Sequence, residues 1–332
     1  MYEYDKRVVL TLDAGGTNFV FSAIQGNNEM ISPIGLPAVS DNLDECLEVL
    51  VKGFDRVIAA IPVPPVAISF AFPGPADYEN GIIGDLPNFP SFRGGVALGP
   101  FLKHKYGIPV FIENDGNLFA YGEALSGALP MINRELSLAG CSREYKNLIG
   151  ITLGTGFGAG VVINKVLLTG DNGCGGDIWL MRNKKYPDML AEESVSIRAV
   201  RRVYSDLSGQ SSASLSPKDI YDIAEGIKEG DSHAAIASFN ELGIMAGAAI
   251  ASVLNVVDGL VVIGGGVAGA SKYILPALIT ELRAQLTTFS GNKFPCVSMQ
   301  VYNGEDESER ARFLSLSDSQ VVIPGTHLTT TY

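Results

Sequence analysis

The sequence predicts an α/β protein of two domains, each a mixed β-sheet flanked by helices. Three observations carry the prediction. The chain has 332 residues, enough for two domains with sizeable cores. The order β-meander, helix, strand, helix can be read twice along it. Each reading opens with a glycine-threonine turn between two β-type runs, AGGTN at 14–18 and LGTGFGAG at 153–160. No low-complexity linker separates the halves, and the pattern places the switch near residues 115–128.

Taken in order, RVVLTLD at 7–13 is an apolar β-type run ending in aspartate, and FVFSAI at 19–24 alternates as a second strand. QGNNE at 25–29 is turn chemistry, and a further short extended run reaches Pro37. Residues 42–60 carry Leu43, Cys46, Leu47, Leu50, Val51, Phe54, Val57 and Ile58 at helical spacing. VAISFAF at 66–72 is a buried strand stopped by Pro73-Gly74-Pro75. Residues 96–106 read as helix, 109–114 as strand, and 115–127 as a helix rich in alanine and glycine. The second meander begins at 148 with LIGITLG, GAGVVI and KVLLTG. Most of 190–290 is helical, and 254–285 reads as helix end, strand, glycine turn and helix.

Composition narrows the partners. Charged residues make up 18% and apolar residues 46%, a globular balance. With 24 basic and 36 acidic residues the formal net charge is −12, a surface that repels nucleic acid and anionic membrane. MYEYDKRVVLTLDAGG has early charges and no long apolar core, so no secretory signal is expected. No run of about 18 apolar residues suggests a membrane span, and a cytoplasmic location is expected. Cys46, Cys141, Cys174 and Cys296 are far apart with no CxxC pair, which suits reduced thiols.

Four stretches carry chemistry. In Asp13-Ala14-Gly15-Gly16-Thr17-Asn18 a strand delivers an aspartate to a turn whose backbone N–H groups can approach a polyphosphate closely. The aspartate can hold Mg²⁺ through water and the threonine can donate to a phosphate oxygen. A plain glycine hairpin would read the same way. Leu153-Gly154-Thr155-Gly156-Phe157-Gly158-Ala159-Gly160 is a second turn of this type, and the pair together suits a nucleotide held between two domains. Neither is a Walker A loop, since no Gly-Lys-Ser/Thr follows, nor a dinucleotide fingerprint, since a strand comes next. Val262-Ile263-Gly264-Gly265-Gly266-Val267 runs from strand through glycine turn into helix, where a base or ribose can lie on the backbone. In FIENDGN, Asn114 and Asp115 fall where a strand ends and a helix begins. A helix cap and a proton-accepting carboxylate both fit there, while Glu113 should point to the other side.

These residues resemble the ROK family of sugar kinases, of the actin/hexokinase/Hsp70-like ATPase (ribonuclease H-like) fold. DAGGTN, FPGPAD, LPNFP, ENDGN, LGTGFGAGVV, DNGCGG and VVIGGGV occur in family order over roughly residues 7–290. The resemblance implies ATP- and Mg²⁺-dependent phosphorylation of a hydroxyl of a hexose or amino sugar by a homodimer. It implies a smaller lobe, 1–116 with about 313–332, a larger lobe, 117–312, and an active site in the cleft between them. Carried over residue by residue, Asp115 is the general base, and Asn88, Asn114, Asp115, Asp177 and Glu192 contact the sugar. Asp13, Gly15, Gly16, Thr17, Gly154, Thr155 and Gly156 cradle the phosphates, with Asp13 helping Mg²⁺, and Gly265 and Gly266 line the adenosine side.

The chain also departs from the family. Where a Glu-x-Gly-His segment is usual, Asp177, Ile178, Trp179 and Leu180 stand, and residues 181–191, MRNKKYPDMLA, lack the usual cysteines. Leucine cannot ligate metal, and His104, His233 and His327 lie elsewhere, so no zinc site is expected. Leu180 removes a polar partner and adds apolar bulk, which predicts poor use of plain glucose and favours an N-acyl or deoxy sugar. Glu192 aligns best with a sugar-contacting glutamate, with Glu193 one step away and a helix-N-terminal role open to both. A non-catalytic sugar sensor is the alternative reading; only twelve residues precede Asp13, so no DNA-binding module of its own is expected. The tail from Asn303 onward differs from a short final helix and suggests no role.

Overall fold

The computed structural model describes residues 2–15, 17–72, 74, 76–84, 89–315 and 320–331, and the chain divides into two units. One is Met1–Ser126 with Thr169–Gly175; the other is Gly127–Leu168 with Gly176–Tyr332.

In the first unit, the opening runs form β1 (Val9–Ala14), β2 (Asn18–Gln25), β3 (Asn28–Glu29) and β4 (Ile34–Pro37). β2 lies antiparallel to β1, and β3 and β4 pair with opposite ends of β2. α1 (Leu43–Ala60) is capped by Asn42, whose side chain accepts the Glu45 N–H at 3.3 Å and donates to Glu45 Oε1 at 2.8 Å. Its buried Cys46, Leu50, Phe54 and Val57 recur at three- and four-residue steps, so one helix face covers β2 and β4. Burial pushes the Cys46 thiol up to about 11, which keeps it protonated and inert. β5 (Ala67–Ala71) and β8 (Val110–Glu113) extend the sheet in parallel to β1, in the order β3-β2-β1-β5-β8. Between them lie the small hairpin of β6 (Ala76–Asp77) and β7 (Ile82–Ile83), then α2 (Leu98–Tyr106). α3 (Asp115–Leu125) follows β8. Phe19, Phe21, Phe54, Phe70, Phe72, Phe89 and Phe92 are buried against one another and fill this core.

The second unit begins with α4 (Ala128–Leu138) and the meander β9 (Leu148–Leu153), β10 (Phe157–Ile163) and β11 (Val166–Leu167). α5 (Ile197–Ser208), α6 (Pro217–Ala224) and α7 (Ser232–Val257) come next, then β12 (Leu260–Gly264), parallel to β9, and α8 (Ser271–Leu282). α7 is long and apolar enough to cross a membrane by length and composition, although the sequence suggested no such run. Here Phe239, Leu242, Ala246 and Ile250 are buried, and the helix packs against α5, α6 and α8 as the spine of the core. Two hairpins absent from the sequence reading complete the unit, β13 (Gln285–Thr287) with β14 (Lys293–Pro295) and β15 (Gln320–Val322) with β16 (Thr329–Thr331). α9 (Glu307–Leu314) lies between them.

The division differs from the expected lobes in two places. The first unit runs to Ser126 rather than 116, because α3 stays with the sheet it follows. Residues 313–332 fall in the second unit rather than the first. Arg310 of α9 pairs with Glu135 of α4 at 2.6 Å, and the Phe313 ring lies 5.7 Å from Tyr145 and 5.6 Å from Tyr302, all within that unit.

Candidate active site

In the first unit the parallel strands end side by side. Asp13 of β1 is in register with Ala71 of β5, and Ala71 with Glu113 of β8. At about 4.8 Å per strand the ends of β1 and β8 are roughly 10 Å apart. This is the carboxyl edge of the parallel strands, where open α/β sheets bind ligands. At β1 the exposed Asp13 leads into the turn through Gly15 and Thr17, and the Thr17 carbonyl accepts the Ala38 N–H at 3.0 Å. Gly16 and Asn88 lie outside the described residues, as do parts of FPGPAD and LPNFP.

Two strands away, the backbone separates the functions that the sequence left open for Asn114 and Asp115. Asn114 is the helix cap: its Oδ1 accepts the N–H groups of Gly116 at 2.9 Å and Asn117 at 3.4 Å. Asp115 is the first residue of α3 and is exposed, with Oδ1 accepting the Gly116 N–H at 2.8 Å. Glu113 is occupied inside the motif, accepting from the Asn114 N–H at 2.9 Å and Asn117 Nδ2 at 3.1 Å. Tyr78, which the sequence did not single out, lies beside this group. Its hydroxyl donates to the Phe72 carbonyl at 3.0 Å, and burial pushes it up to about 12, against the pull of the Asn114 side chain and with the help of Asp115 and Glu113. It is therefore a neutral group beside Asn114. The only sequence signal for it was a tyrosine five residues after the stop of a buried strand, which is too common to single out.

In the second unit, another pair of turns shares one sheet edge. Gly154, Thr155 and Gly156 join β9 to β10, and Gly264 at the end of β12 is in register with Thr152. Gly265 has φ +91°, and a Cβ there would stand 2.4 Å from the Leu153 carbonyl oxygen, so only glycine fits. The Val267 N–H then donates to the same carbonyl at 3.0 Å, fixing one turn to the other. At Gly266 a Cβ would meet open space, so this position faces away from packed protein.

Glu192 is placed beneath the glycine turn. Its Oε2 accepts the Phe157 N–H at 3.1 Å, its Oε1 accepts from Arg198 at 3.1 Å, and a Cβ on Gly156 would stand 2.6 Å from Oε2. Glu193 also receives Arg198, at 3.2 Å. A carboxylate offers about four acceptor positions, so Glu192 retains capacity for a hydroxyl donor. Asp177 is exposed with no capping bond to the turn it precedes. In that turn Ile178 is buried, whereas Trp179 and Leu180 are 36% and 53% exposed; Leu180 is a surface residue, not part of the core.

The structure therefore gathers Asp13, Gly15, Thr17, Asn114 and Asp115 on one sheet edge, and Gly154, Thr155, Gly156, Glu192, Gly265 and Gly266 on another. Asp177 joins neither by a hydrogen bond. Among the described residues, no three His, Cys, Asp or Glu side chains come together as a metal would need. Asp13 can reach Mg²⁺ only as one ligand beside phosphates and water, which suits the hydrated way this ion binds.

A sequence profile of the ROK family matches residues 9–308. The glucokinase of Thermotoga maritima is 26% identical over 290 residues, 82% of this chain and 86% of that protein. A crystal structure of a glucokinase from Parabacteroides distasonis is 59% identical, with a TM-score of 0.90, and covers 100% of this chain and 91% of that one. A ROK family glucokinase from Streptomyces griseus, solved with glucose and AMPPNP, is 21% identical with a TM-score of 0.62 over 83% of this chain and 88% of that one, a likeness of fold. The two-unit architecture is the actin-like ATPase fold, and the chain belongs to the ROK family as one of its sugar kinases.

Proposed function

We propose that this protein transfers the γ-phosphoryl group of ATP to a hydroxyl of a hexose or amino sugar, with Asp115 as the general base. The observation that carries the proposal is the division of labour at the start of α3. Asn114 caps the helix, so Asp115 is left exposed at the carboxyl edge, two strands from the Asp13–Thr17 turn. The Asp115 carboxylate takes the proton from the attacking hydroxyl. Asn114 orients a neighbouring hydroxyl, and Asn88, Asp177 and Glu192 are the further sugar contacts. The Asp13–Thr17 and Gly154–Gly156 turns offer backbone N–H groups to the phosphates, and Gly265 and Gly266 leave room for the adenosine. Mg²⁺ would supply charge neutralisation at the phosphates, with Asp13 as its protein ligand. Positioning and charge stabilisation account for most of phosphoryl-transfer catalysis, so backbone turns and one base form a sufficient set. The test is ADP release across a panel of hexoses and amino sugars; ADP release with none of them would leave the sugar sensor as the surviving reading. Asp115 argues against that sensor, since binding alone needs no proton acceptor.

Two sugar assignments are in play, and each has an observation behind it. The exposed Leu180 favours a sugar with an N-acyl group, or one lacking a hydroxyl, near C1–C3. A ring hydroxyl facing leucine loses a hydrogen bond worth roughly 1 kcal/mol or more, about 5-fold or more in affinity. The 59% identical relative described as a glucokinase favours glucose. We expect kcat/KM for N-acetylated or deoxy hexoses to exceed that for glucose; glucose preferred by about tenfold would discard the role given to Leu180 and leave the kinase reading intact.

The purified protein is expected to hold no stoichiometric zinc, because Leu180 and residues 181–191 offer no cysteine or histidine. Elemental analysis finding one zinc per chain would refute this. A cytoplasmic homodimer that binds neither nucleic acid nor membrane completes the proposal, in keeping with the charge of −12.

A further inference from the structure

We infer that Asn183 is the positioning residue for Glu192, and through Glu192 for the glycine turn at 154–157. The inference rests on the reading of that turn as part of a phosphoryl-transfer site.

The turns Ile178–Leu180 and Ala191–Glu193 are joined by a loop with no helix and only one isolated bridge, Arg182 to Leu190. Asn183 sits inside this loop and is 2% exposed. Its Oδ1 accepts the N–H groups of Lys185 and Tyr186, both at 3.0 Å. Its Nδ2 donates to Ser194 Oγ at 2.8 Å and to the Leu190 carbonyl at 3.3 Å. Two backbone donors on one side and a carbonyl on the other fix which end of the amide is which. Backbone bonds close the base of the loop, Ala191 N–H to Met181 O at 2.7 Å and Asn183 N–H to Met189 O at 2.9 Å.

The two groups held by Nδ2 bracket Glu192, one two residues before it and one two residues after it. Ser194 is itself 1% exposed, so this bracket is buried. Other ties of the loop are Lys184 to Glu281 at 2.6 Å and Lys185 to Glu241 at 2.7 Å, with both lysines about half exposed. The acid in each pair is mostly buried, yet these pairs hold residues 184 and 185 rather than the stretch 190–194. One buried amide thus sets where the Glu192 carboxylate stands, and that carboxylate holds the Phe157 N–H and fills the space beside Gly156. A shift of about 1 Å in such a support can cost roughly 10²-fold in rate.

The test uses the full chain with three variants and two readouts, amide hydrogen exchange and steady-state kinetics on the best sugar. Asn183→Ala should speed exchange at Phe157 and across 189–195, and lower kcat by about tenfold or more while the sugar KM moves less. Asn183→Asp keeps the two accepted bonds but sets an oxygen in place of the donor that faces the Leu190 carbonyl, so both effects should persist. Asn133→Ala is the control. Asn133 is bonded as firmly to the Tyr145 N–H and carbonyl, both at 2.8 Å, but braces a different loop. It should lower stability and leave Phe157 exchange and kcat near wild type. Unchanged exchange at Phe157 with unchanged kcat in Asn183→Ala overturns the inference, as does Asn133→Ala matching it in both readouts. Should the alanine variant not fold, the same criteria apply to Asn183→Asp. Faster exchange at Phe157 in a protein whose wild type phosphorylates no sugar would uphold the positioning role and reject the kinase reading.

Discussion

Asp115→Asn is expected to lower turnover by about 10²-fold or more, with a much smaller change in the KM for sugar. The substitution keeps the size of the side chain and an oxygen able to accept the Gly116 N–H. It removes the capacity to take up a proton from the substrate hydroxyl. Because Asn114 is the cap of α3, loss of the Asp115 charge should cost the helix only the dipole interaction, about 0.3–1 kcal/mol. A fall in kcat with near-normal thermal stability separates the catalytic role from a structural one. Near-wild-type kcat in this variant on the best sugar would reduce Asp115 to a helix-terminal carboxylate. Asn114→Ala should behave in the opposite way, with a measurable loss of stability of about 1 kcal/mol from the missing cap and a rise in sugar KM.

Gly265→Ala is expected to be the most damaging single methyl in the second unit. An L-residue at φ +91° costs about 1–2 kcal/mol, and the new Cβ would stand 2.4 Å from the Leu153 carbonyl oxygen and 2.8 Å from its nitrogen. Both atoms are backbone at the end of β9, and the carbonyl is already bonded to the Val267 N–H, so neither can swing aside cheaply. Relief requires separating β12 from β9 at the edge where the glycine turns meet. Adding the overlap cost of about 1–3 kcal/mol gives roughly 2–5 kcal/mol, or a fall of roughly 5–15 °C in Tm. The KM for ATP should rise as well, since the adenosine-side turn moves. Thermal unfolding and nucleotide kinetics measure the two effects. Gly266→Ala is the contrast: its Cβ meets open space, so stability should hold, and only nucleotide binding should suffer. A Tm for Gly265→Ala within about 2 °C of wild type would contradict the packing argument.

The sequence by itself determined the parts of this protein whose causes are local. The apolar run over 7–13 and the alternation over 19–24 pointed to β1 and β2, and the three- and four-residue spacing from Leu43 to Ile58 to α1, because these signals lie within a few neighbouring residues. The turn after β12 was legible for the same reason, since a position held at φ +91° records itself as a glycine, Gly265. The ordered motifs then named the family.

Only the tertiary structure decided which carboxylates and amides are free to act. Asn114 and Asp115 looked equivalent as caps until the strand end aimed Asn114 Oδ1 at the Gly116 and Asn117 N–H groups. Glu192 depends on an N–H 35 residues away in sequence, and no periodicity encodes that meeting. Phe313 packs its ring against Tyr145 and Tyr302, distant in sequence from one another, and these contacts hold the end of α9 in the second unit against expectation. Tyr78 and Asn183 carry no local signature, because each is defined by the buried groups around it. Period and turn chemistry are properties of adjacent residues. Hydrogen-bond partnership belongs to whichever groups the finished fold brings within about 3 Å of one another, away from competing water.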